Sequence, residues 1–308
     1  MMDILQSLKP VLRQSSHVSI NKDKIKDFVQ RFDRTKLDHW LSISPFNLDQ
    51  LSETQKIGFL FTLNAMSFSY FGNPKWTVEY HQKEYDGAQA MMACLGRAIE
   101  RGINFNPDYL AAFGRETLGE ILCGNVEIPL FNERLRNLNE IGAIIKRDFR
   151  GDFRYVIDRS HEDALHLVDL LVDRFSSFQD SAWYRTEKVD FNKRAQLLAS
   201  DINYLFGRLS NCDKLTACAD YKLPQVLRRY GILHYSDELQ KKILLREHIL
   251  SGSEEEVEIR AHTIYAVELI KSEIDGLTSN QINDYLWLEG QIKVMNEEPY
   301  HLTRTTAY

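Results

Sequence analysis

The chain has 308 residues, of which 44% are hydrophobic, and this is enough for a substantial packed core. Its net charge of −6 at pH 7 disfavours a surface built mainly to bind the phosphates of DNA or RNA. The 4 cysteines are too few and too irregularly spaced for a disulfide framework, and no apolar run reaches the roughly 18 residues that a membrane span needs. These properties predict a cytoplasmic protein with reduced thiols, no membrane partner and a small-molecule substrate.

Apolar residues recur with the period of an α-helix over most of the chain. Between residues 23 and 33, Ile25, Phe28 and Phe32 fall on one face, which predicts an amphipathic helix. A capping box formed by Ser52 and Gln55 precedes a helix over residues 57–71 that is apolar nearly all round, as in a helix buried at the centre of a domain. Further helices are predicted at residues 87–101, 107–122, 129–149, 162–175, 191–206, 236–250, 254–274 and 279–290.

Only two stretches have the composition of β-strands. Residues 76–81 and 153–157 combine aromatic and β-branched residues with partial alternation, and we expect them to pair as a small ribbon. No internal repeat or low-complexity linker divides the chain. The sequence therefore predicts one mainly α-helical domain, residues 1–308, with at most a small β ribbon. If this domain has two lobes facing a cleft, we expect their boundary at residues 150–160.

A carboxylate stands just ahead of a helix start that contains a proline. Asp220 precedes Pro224, and the helix is followed by a break at Gly231 and a second capped start at Ser236. An aspartate in this position is typical of a cap, and the N–H groups of a helix start stabilise an anion, so we expect Asp220 to stay ionised at neutral pH. A fixed carboxylate can also stabilise or attack a sugar cation when a glycosidic bond breaks. The residues alone leave both roles open.

The same region carries a family resemblance. The segments ADYKLPQVL at 219–227 and YGILHYSDEL at 230–239 resemble the signature of the queuosine salvage family, the queuosine 5'-phosphate N-glycosylases that release the base queuine. Other similar segments follow the same order along the chain, at residues 132–142, 189–196, 256–261 and 285–287. The resemblance implies an N-glycosidase that hydrolyses queuosine 5'-phosphate and frees queuine for tRNA modification.

The resemblance also implies roles for particular residues. Asp220 matches the catalytic carboxylate, placed beneath the sugar. Asn283, Asp284 and Trp287 match a segment that lines the base pocket, where a purine-like base needs flat surfaces and fixed polar partners. Without the resemblance, this segment is interpreted as an amphipathic helix with Thr278 and Gln281 as its capping box.

The family resemblance also bears on four further positions. Lys193 is a candidate partner for the 5'-phosphate, and His17 is a candidate hydrogen-bonding partner of the base. Cys218 occupies a place at the pocket where relatives often present Phe, and Ser67 replaces an Asn. The aromatic residues that follow Ser67, in the run 68–71, are expected in the core rather than in contact with a ligand.

The sequence lacks the motifs that are typical of several other kinds of enzyme. There is no dinucleotide-binding Gly-x-Gly-x-x-Gly loop, P-loop or Gly-x-Ser-x-Gly elbow, and His161 and His166 do not have the spacing of a helical zinc site. We therefore expect no cofactor and no catalytic metal.

Two alternatives remain at this point. The short helix pair around Gly231 is similar to that of helix-hairpin-helix DNA glycosylases, which makes base excision from DNA a second hypothesis, although the negative charge disfavours it. The third hypothesis is a helical protein that binds queuosine or a related nucleoside without cleaving it. The sequence predicts no direct nucleic-acid partner and leaves the oligomeric state open.

Overall fold

The computed structural model describes residues 3–308 and is built mainly from α-helices, as predicted. Within these residues the helices are α1 (Ile4–Gln14), α2 (Lys22–Gln30), α3 (Glu53–Met66), α4 (Gly87–Glu100), α5 (Pro107–Ala111), α6 (Arg115–Ile121), α7 (Phe131–Asp148), α8 (Arg154–Arg159), α9 (Ala164–Arg174), α10 (Lys193–Phe206), α11 (Lys222–Arg229), α12 (Asp237–Leu244), α13 (Glu254–Glu273) and α14 (Ser279–Glu289). No helix between residues 3 and 308 is both long and apolar enough to cross a lipid bilayer.

The β-structure consists of three antiparallel two-stranded ribbons. They pair β1 (Val18–Ile20) with β6 (Leu233–Tyr235), β2 (Thr77–Tyr80) with β3 (Lys83–Asp86), and β4 (Ser181–Tyr184) with β5 (Glu187–Asp190). The prediction of a strand at residues 76–81 is confirmed, but the partner assigned to it was wrong.

Residues 153–157 form the start of α8 instead of a strand. The carboxylate of Asp152 accepts a hydrogen bond from the backbone N–H of Arg154 at 2.9 Å, which satisfies a donor at the helix start. Phe153, Val156 and Ile157 are buried, and the spacing of three to four residues between them is that of one helix face. The aromatic and β-branched composition misled the prediction because tertiary packing overrides a local preference.

Three predicted helices have clearly different limits in the structure, and the one expected over residues 236–250 ends at Leu244. The helix expected over residues 107–122 is divided into α5 and α6, and Gly114 forms the N-cap of α6. The helix expected to run to residue 71 ends at Met66 because a buried guanidinium takes its last carbonyl groups. The Nη1 atom of Arg194 donates to the carbonyl oxygens of Asn64 and Ala65 at 3.0 and 3.1 Å. The chain after Met66 is thereby released to form a cavity wall.

The apolar core consists of two clusters. The first surrounds α3, in which every residue from Ile57 to Met66 is buried, and includes residues of α4, α7, α9 and α10. The second surrounds α13 and includes residues of α1, α2, α11, α12 and α14. Trp287 packs against both clusters. The predicted lobe boundary at residues 150–160 was wrong, because Phe153 and Ile157 lie inside the first cluster.

A buried ion pair connects α13 to the start of α10. The two terminal nitrogens of Arg260 donate to the two carboxylate oxygens of Asp180 at 2.8 and 2.6 Å. Asp180 also accepts a hydrogen bond from the backbone N–H of Lys193, the first residue of α10, at 3.0 Å. This arrangement fixes the end of α10 that carries Lys193.

Candidate active site

A cavity lies next to Trp287, where the two core clusters meet. Its walls come from the segment after α3, the start of α4, α10, the loop before α11, α14 and the segment after α14. Six of the seven residues predicted for the site line it: Lys193, Cys218, Asp220, Asn283, Asp284 and Trp287.

Asp220 is held by the start of α11 and faces the cavity. Its Oδ1 atom accepts hydrogen bonds from the backbone N–H groups of Lys222 and Leu223 at 2.7 and 3.0 Å. Within residues 3–308, its Oδ2 atom has no hydrogen-bond partner, although the residue is only 7% exposed. The side chain is therefore a helix cap and also a source of fixed negative charge in the cavity wall. These contacts establish the cap, and the role at a sugar cation stays a prediction.

Three lysines contribute positive charge to the cavity wall. Lys193 is buried, and its ammonium group makes no hydrogen bond or ion pair within the described part of the chain. Burial lowers the pKa of Lys193, whereas the nearby carboxylate of Asp220 acts in the opposite direction. The Nζ atom of Lys222 donates to the carbonyl oxygen of Gly290 at 3.1 Å, and Lys75 forms an ion pair of 2.8 Å with Asp86.

The helix α14 supplies a flat apolar surface together with polar groups. The indole of Trp287 packs edge-to-face against that of Trp40, with ring centres 5.6 Å apart. Asn283 donates to the Oδ1 atom of Asp284 at 3.0 Å and accepts from the backbone N–H of Cys218 at 2.9 Å. Burial raises the pKa of the Asp284 carboxyl group to about 8. This end of the cavity has the features needed to stack a heterocyclic base and to bind its polar edge.

Cys218 contributes a small apolar surface rather than an aromatic one. Burial raises the pKa of its thiol far above neutral pH, so the group stays protonated. The Sγ atom lies 3.5 Å from the backbone carbonyl oxygen of Lys193, to which it donates a weak hydrogen bond.

His17 is the predicted site residue that the structure does not bring to the cavity. It lies in a separate surface depression that also includes His234 and His262. Its backbone N–H donates to the carboxylate of Glu258 at 2.7 Å, which anchors the chain ahead of β1. This contact joins the start of the chain to α13.

One group of metal-capable side chains occurs among residues 3–308, outside the cavity. It contains His17, Glu254 and Glu258. The Glu258 carboxylate accepts hydrogen bonds from the backbone N–H groups of residues 16–18 and from the hydroxyl of Tyr184. These four donors occupy the lone pairs that a metal ion would need, so Glu258 acts as a structural acceptor.

Sequence reasoning missed most of the aromatic lining. The aromatic residues of the run 68–71 are buried as expected, yet they also line the cavity, and Ser67 lies beside them. The density of aromatic residues directly after a central helix was the available signal. Further rings come from positions with no local signal: Trp40, Tyr221, Tyr300 and Tyr308.

Comparison with known proteins identifies the family of this chain. The model of the family described as "Queuosine salvage protein" matches residues 47–308. The chain is 36% identical to the queuosine 5'-phosphate N-glycosylase/hydrolase of Sphaerobacter thermophilus, over 99% of this chain and 97% of that protein. It is 34% identical to the protein of the same name from Mus musculus, over 89% and 88%, and 32% identical to that from Nematostella vectensis, over 82% of each. The chain therefore belongs to the queuosine salvage protein family.

Proposed function

We propose that this protein hydrolyses the N-glycosidic bond of queuosine 5'-phosphate and releases the base queuine. The names of its relatives support the reaction and the substrate. The observation that carries the proposal is the position of Asp220, whose Oδ1 atom is fixed by two backbone N–H groups while Oδ2 remains available in the cavity wall. A carboxylate held in this way needs no reorganisation when positive charge develops beside it.

The proposed reaction separates charge between the sugar and the base. As the bond between the anomeric carbon and the base nitrogen breaks, the electron pair leaves with the base and positive charge develops on the sugar. The carboxylate of Asp220 stabilises that charge, either electrostatically or by attack on the anomeric carbon. Water then supplies a hydroxyl group to the sugar and a proton to balance the departing base. Removal of one pre-organised group of this kind typically costs about 3–4 kcal/mol of transition-state stabilisation.

The base binds at the α14 end of the cavity. Trp287 and Trp40 offer ring surfaces, and Asp284 offers a carboxyl group to N–H donors on the edge of the base. Asn283 is already engaged by Cys218 and Asp284, so its contribution is to hold this wall in place. A few buried polar groups among aromatic ones give orientation to a flat ligand.

The balance of charge in the cavity favours the 5'-phosphate over the nucleoside. Lys75 is neutralised by its ion pair with Asp86. While Asp284 is protonated, as we expect in the empty cavity, Lys193 and Lys222 remain, and Asp220 offsets only one of these two charges. A phosphate group complements the excess positive charge, and a lysine ammonium group binds phosphate as a point charge. We assign the phosphate to Lys193, with Lys222 as a second cation.

The experiment is a product assay with the purified full chain. Queuosine 5'-phosphate and queuosine are incubated separately with the protein, and the free base and the sugar product are quantified by mass spectrometry. We expect equal amounts of queuine and ribose 5-phosphate from the nucleotide, at a rate well above that with the nucleoside. Calorimetric binding of the nucleotide without any release of base would instead support the non-cleaving binding protein and refute the proposal.

A further inference from the structure

A partly buried histidine stands behind the base end of the cavity. The Nδ1 atom of His39 accepts a hydrogen bond from the backbone N–H of Leu41 at 3.2 Å. In a neutral imidazole the proton is then carried by Nε2. The ring stacks on that of Tyr204, with ring centres 3.9 Å apart and planes 5° from parallel, and this fixes its orientation.

The Nε2 atom of His39 lies between two carboxyl groups. It is 3.6 Å from the Oδ2 atom of Asp284 and 3.7 Å from the Oδ1 atom of Asp201. It is also buried and has no hydrogen-bond partner within the described residues. An unpaired buried donor is costly, and here a movement of a few tenths of an ångström toward either carboxyl group completes a hydrogen bond.

Asp201 acts on the cavity only through its neighbours. It is fully buried on α10, where its two oxygens accept from the indole N–H of Trp40 at 2.7 Å and from the side-chain amide of Asn64 at 2.8 Å. Neither Asp201 nor His39 lines the cavity, whereas Asp284 does. The carboxyl group that meets a ligand is therefore backed by a second carboxyl group and by one N–H donor.

We propose that His39 and Asp201 are positioning residues. Together they determine whether Asp284 presents a protonated or an ionised carboxyl group to a bound base. The Nε2–H of His39 favours the carboxylate form of Asp284, and the carboxyl group of Asp201 disfavours it. A base that offers N–H donors to Asp284 selects the carboxylate and displaces a proton. The proposal rests on the proposed function only for the identity of that base.

The surrounding charges are consistent with a protonated Asp284 in the empty cavity. Burial raises the pKa of Asp284 to about 8 and that of Asp201 to about 7, and it lowers the pKa of His39 to about 3. The backbone N–H of Trp40 and the side chain of Asn283 act in the other direction on Asp284. The other titratable or charged groups near Asp284 or Asp201 are Asp38 beside His39, Lys193 and Tyr204 on α10, and Cys218 ahead of α11.

The direct test is a pH titration of the ligand-free full chain with ¹³C-labelled aspartate carboxyl groups, followed by NMR. The signal assigned to Asp284 is the one that Asp284→Asn removes. We expect its midpoint to fall by about half a pH unit or more in Asp201→Asn and to rise by a similar amount in His39→Asn. Opposite shifts are not expected from a purely structural disturbance.

The two variants are chosen to preserve the fold. Asparagine at position 39 can still accept from Leu41 N–H, while it lacks the Nε2 donor. An asparagine at position 201 can still accept a hydrogen bond from the indole N–H of Trp40. The Oδ1 atom of Asn64 is buried without a partner, and after a turn of the Asn64 amide it can accept from the NH₂ group of the new asparagine. If one of the two variants does not fold, the direction of the Asp284 midpoint shift in the other variant tests the inference.

Unchanged midpoints, or shifts opposite to those expected, would overturn the inference. The exposed His81, which does not line the cavity, serves as a matched control as His81→Asn and should leave the Asp284 signal unaffected. The pH profile of KM for base release should move in the same direction as the NMR midpoint in each variant. Because the titration is made without ligand, a protein that shows the shifts but releases no base refutes the proposed function alone.

Discussion

The side-chain oxygen of Asn283 accepts a hydrogen bond from the backbone N–H of Cys218 at 2.9 Å. Cys218 stands two residues before Asp220, and the same Asn283 amide donates to Asp284 at 3.0 Å. A single buried amide thus ties the loop that carries the candidate catalytic carboxylate to the helix that carries the base pocket. The distance between the two functional groups depends on this contact.

Replacing this amide should affect turnover as well as stability. Asn283→Leu keeps the approximate volume but leaves the Cys218 N–H buried without a partner, at a cost of about 1–3 kcal/mol. Because displaced catalytic groups lose orientation, we expect kcat for base release to fall about 10–100-fold. Thermal unfolding and steady-state kinetics measure the two effects. The control is Asn139→Leu, which removes amide contacts to α5 and the loop after it and should lower stability without changing kcat. A normal kcat in Asn283→Leu would contradict the idea that Asn283 holds the Asp220 loop and α14 in their catalytic arrangement.

The two excess cations should determine the preference for the phosphate. Lys193→Met and Lys222→Met each remove a charge and keep a long apolar side chain. We expect the ratio of kcat/KM for queuosine 5'-phosphate to that for queuosine to fall about tenfold or more in each variant. Lys241→Met, at an exposed position outside the cavity, should leave the ratio unchanged. An unchanged ratio in both cavity variants would remove these lysines from phosphate binding.

The buried pair of Asp180 and Arg260 should be a major determinant of stability. Asp180→Asn leaves the guanidinium of Arg260 buried with only Glu256 as a nearby carboxylate, at 3.7 Å. Breaking a buried pair in this way typically costs about 3–5 kcal/mol. Urea unfolding measures the loss, and Asp27→Asn at an exposed pair with Lys24 should change little. If Asp180→Asn and Asp27→Asn lower the free energy of unfolding by equal amounts, burial of the Asp180 pair makes no additional contribution to stability.

The buried carboxyl groups should make the ligand-free protein less stable as the pH rises from 6.5 to 8. Burial raises the pKa values of Asp201 and Asp284 to about 7 and about 8, so the folded chain retains protons that the unfolded chain has released. Their stabilising contribution is complete below the usual carboxyl pKa of about 3.8 and is lost as the pH rises through 7 and 8.

The two histidines with pKa values near 3 do not obscure this interval. Burial lowers the pKa of His39 and His301 to about 3, so these side chains add stability above pH 6.5 and lose it at lower pH. Between pH 6.5 and 8 the slope from each protonated carboxyl group is at most about 1.4 kcal/mol per pH unit. Urea unfolding at several pH values should give a shallower slope for Asp284→Asn than for the wild type. Identical slopes would contradict a protonated Asp284.

Local signals were sufficient to predict most of the helices. The capping boxes of α3 and α14 form as expected from Ser52 with Gln55 and Thr278 with Gln281. In contrast, the composition of residues 153–157 favoured a strand, and only their burial against distant side chains turned them into a helix. The end of α3 depends on Arg194, a residue 128 positions beyond Met66, so no local pattern could predict it.

The candidate site residues also divide into those with a local sequence signal and those that depend on long-range packing. Asp220 carries a local signature because the helix start after it is visible in the sequence. The other predicted residues that line the cavity were identified through family resemblance. Most of the aromatic lining and the residues behind it were not identified. His39 and Asp201 meet Asp284 only because α10, α14 and the segment before Trp40 pack together, so they leave no spacing for a sequence to reveal.

The pair of helices around Gly231 is more elaborate than a tight turn. Gly231 has a positive φ of 68°, as the break predicted, and Ser236 caps α12. Between them lies β6, which pairs with β1 near the start of the chain. The similarity to helix-hairpin-helix glycosylases stays a prediction.

The most direct test is the single-turnover rate of queuine release by Asp220→Asn. The amide oxygen can still cap α11 through the N–H groups of Lys222 and Leu223, so the fold and the binding of queuine should be retained while the charge is lost. We expect the rate to fall at least about 100-fold, with a melting temperature close to that of the wild type. A folded Asp220→Asn protein that releases queuine at nearly the wild-type rate would contradict the role given to this carboxylate.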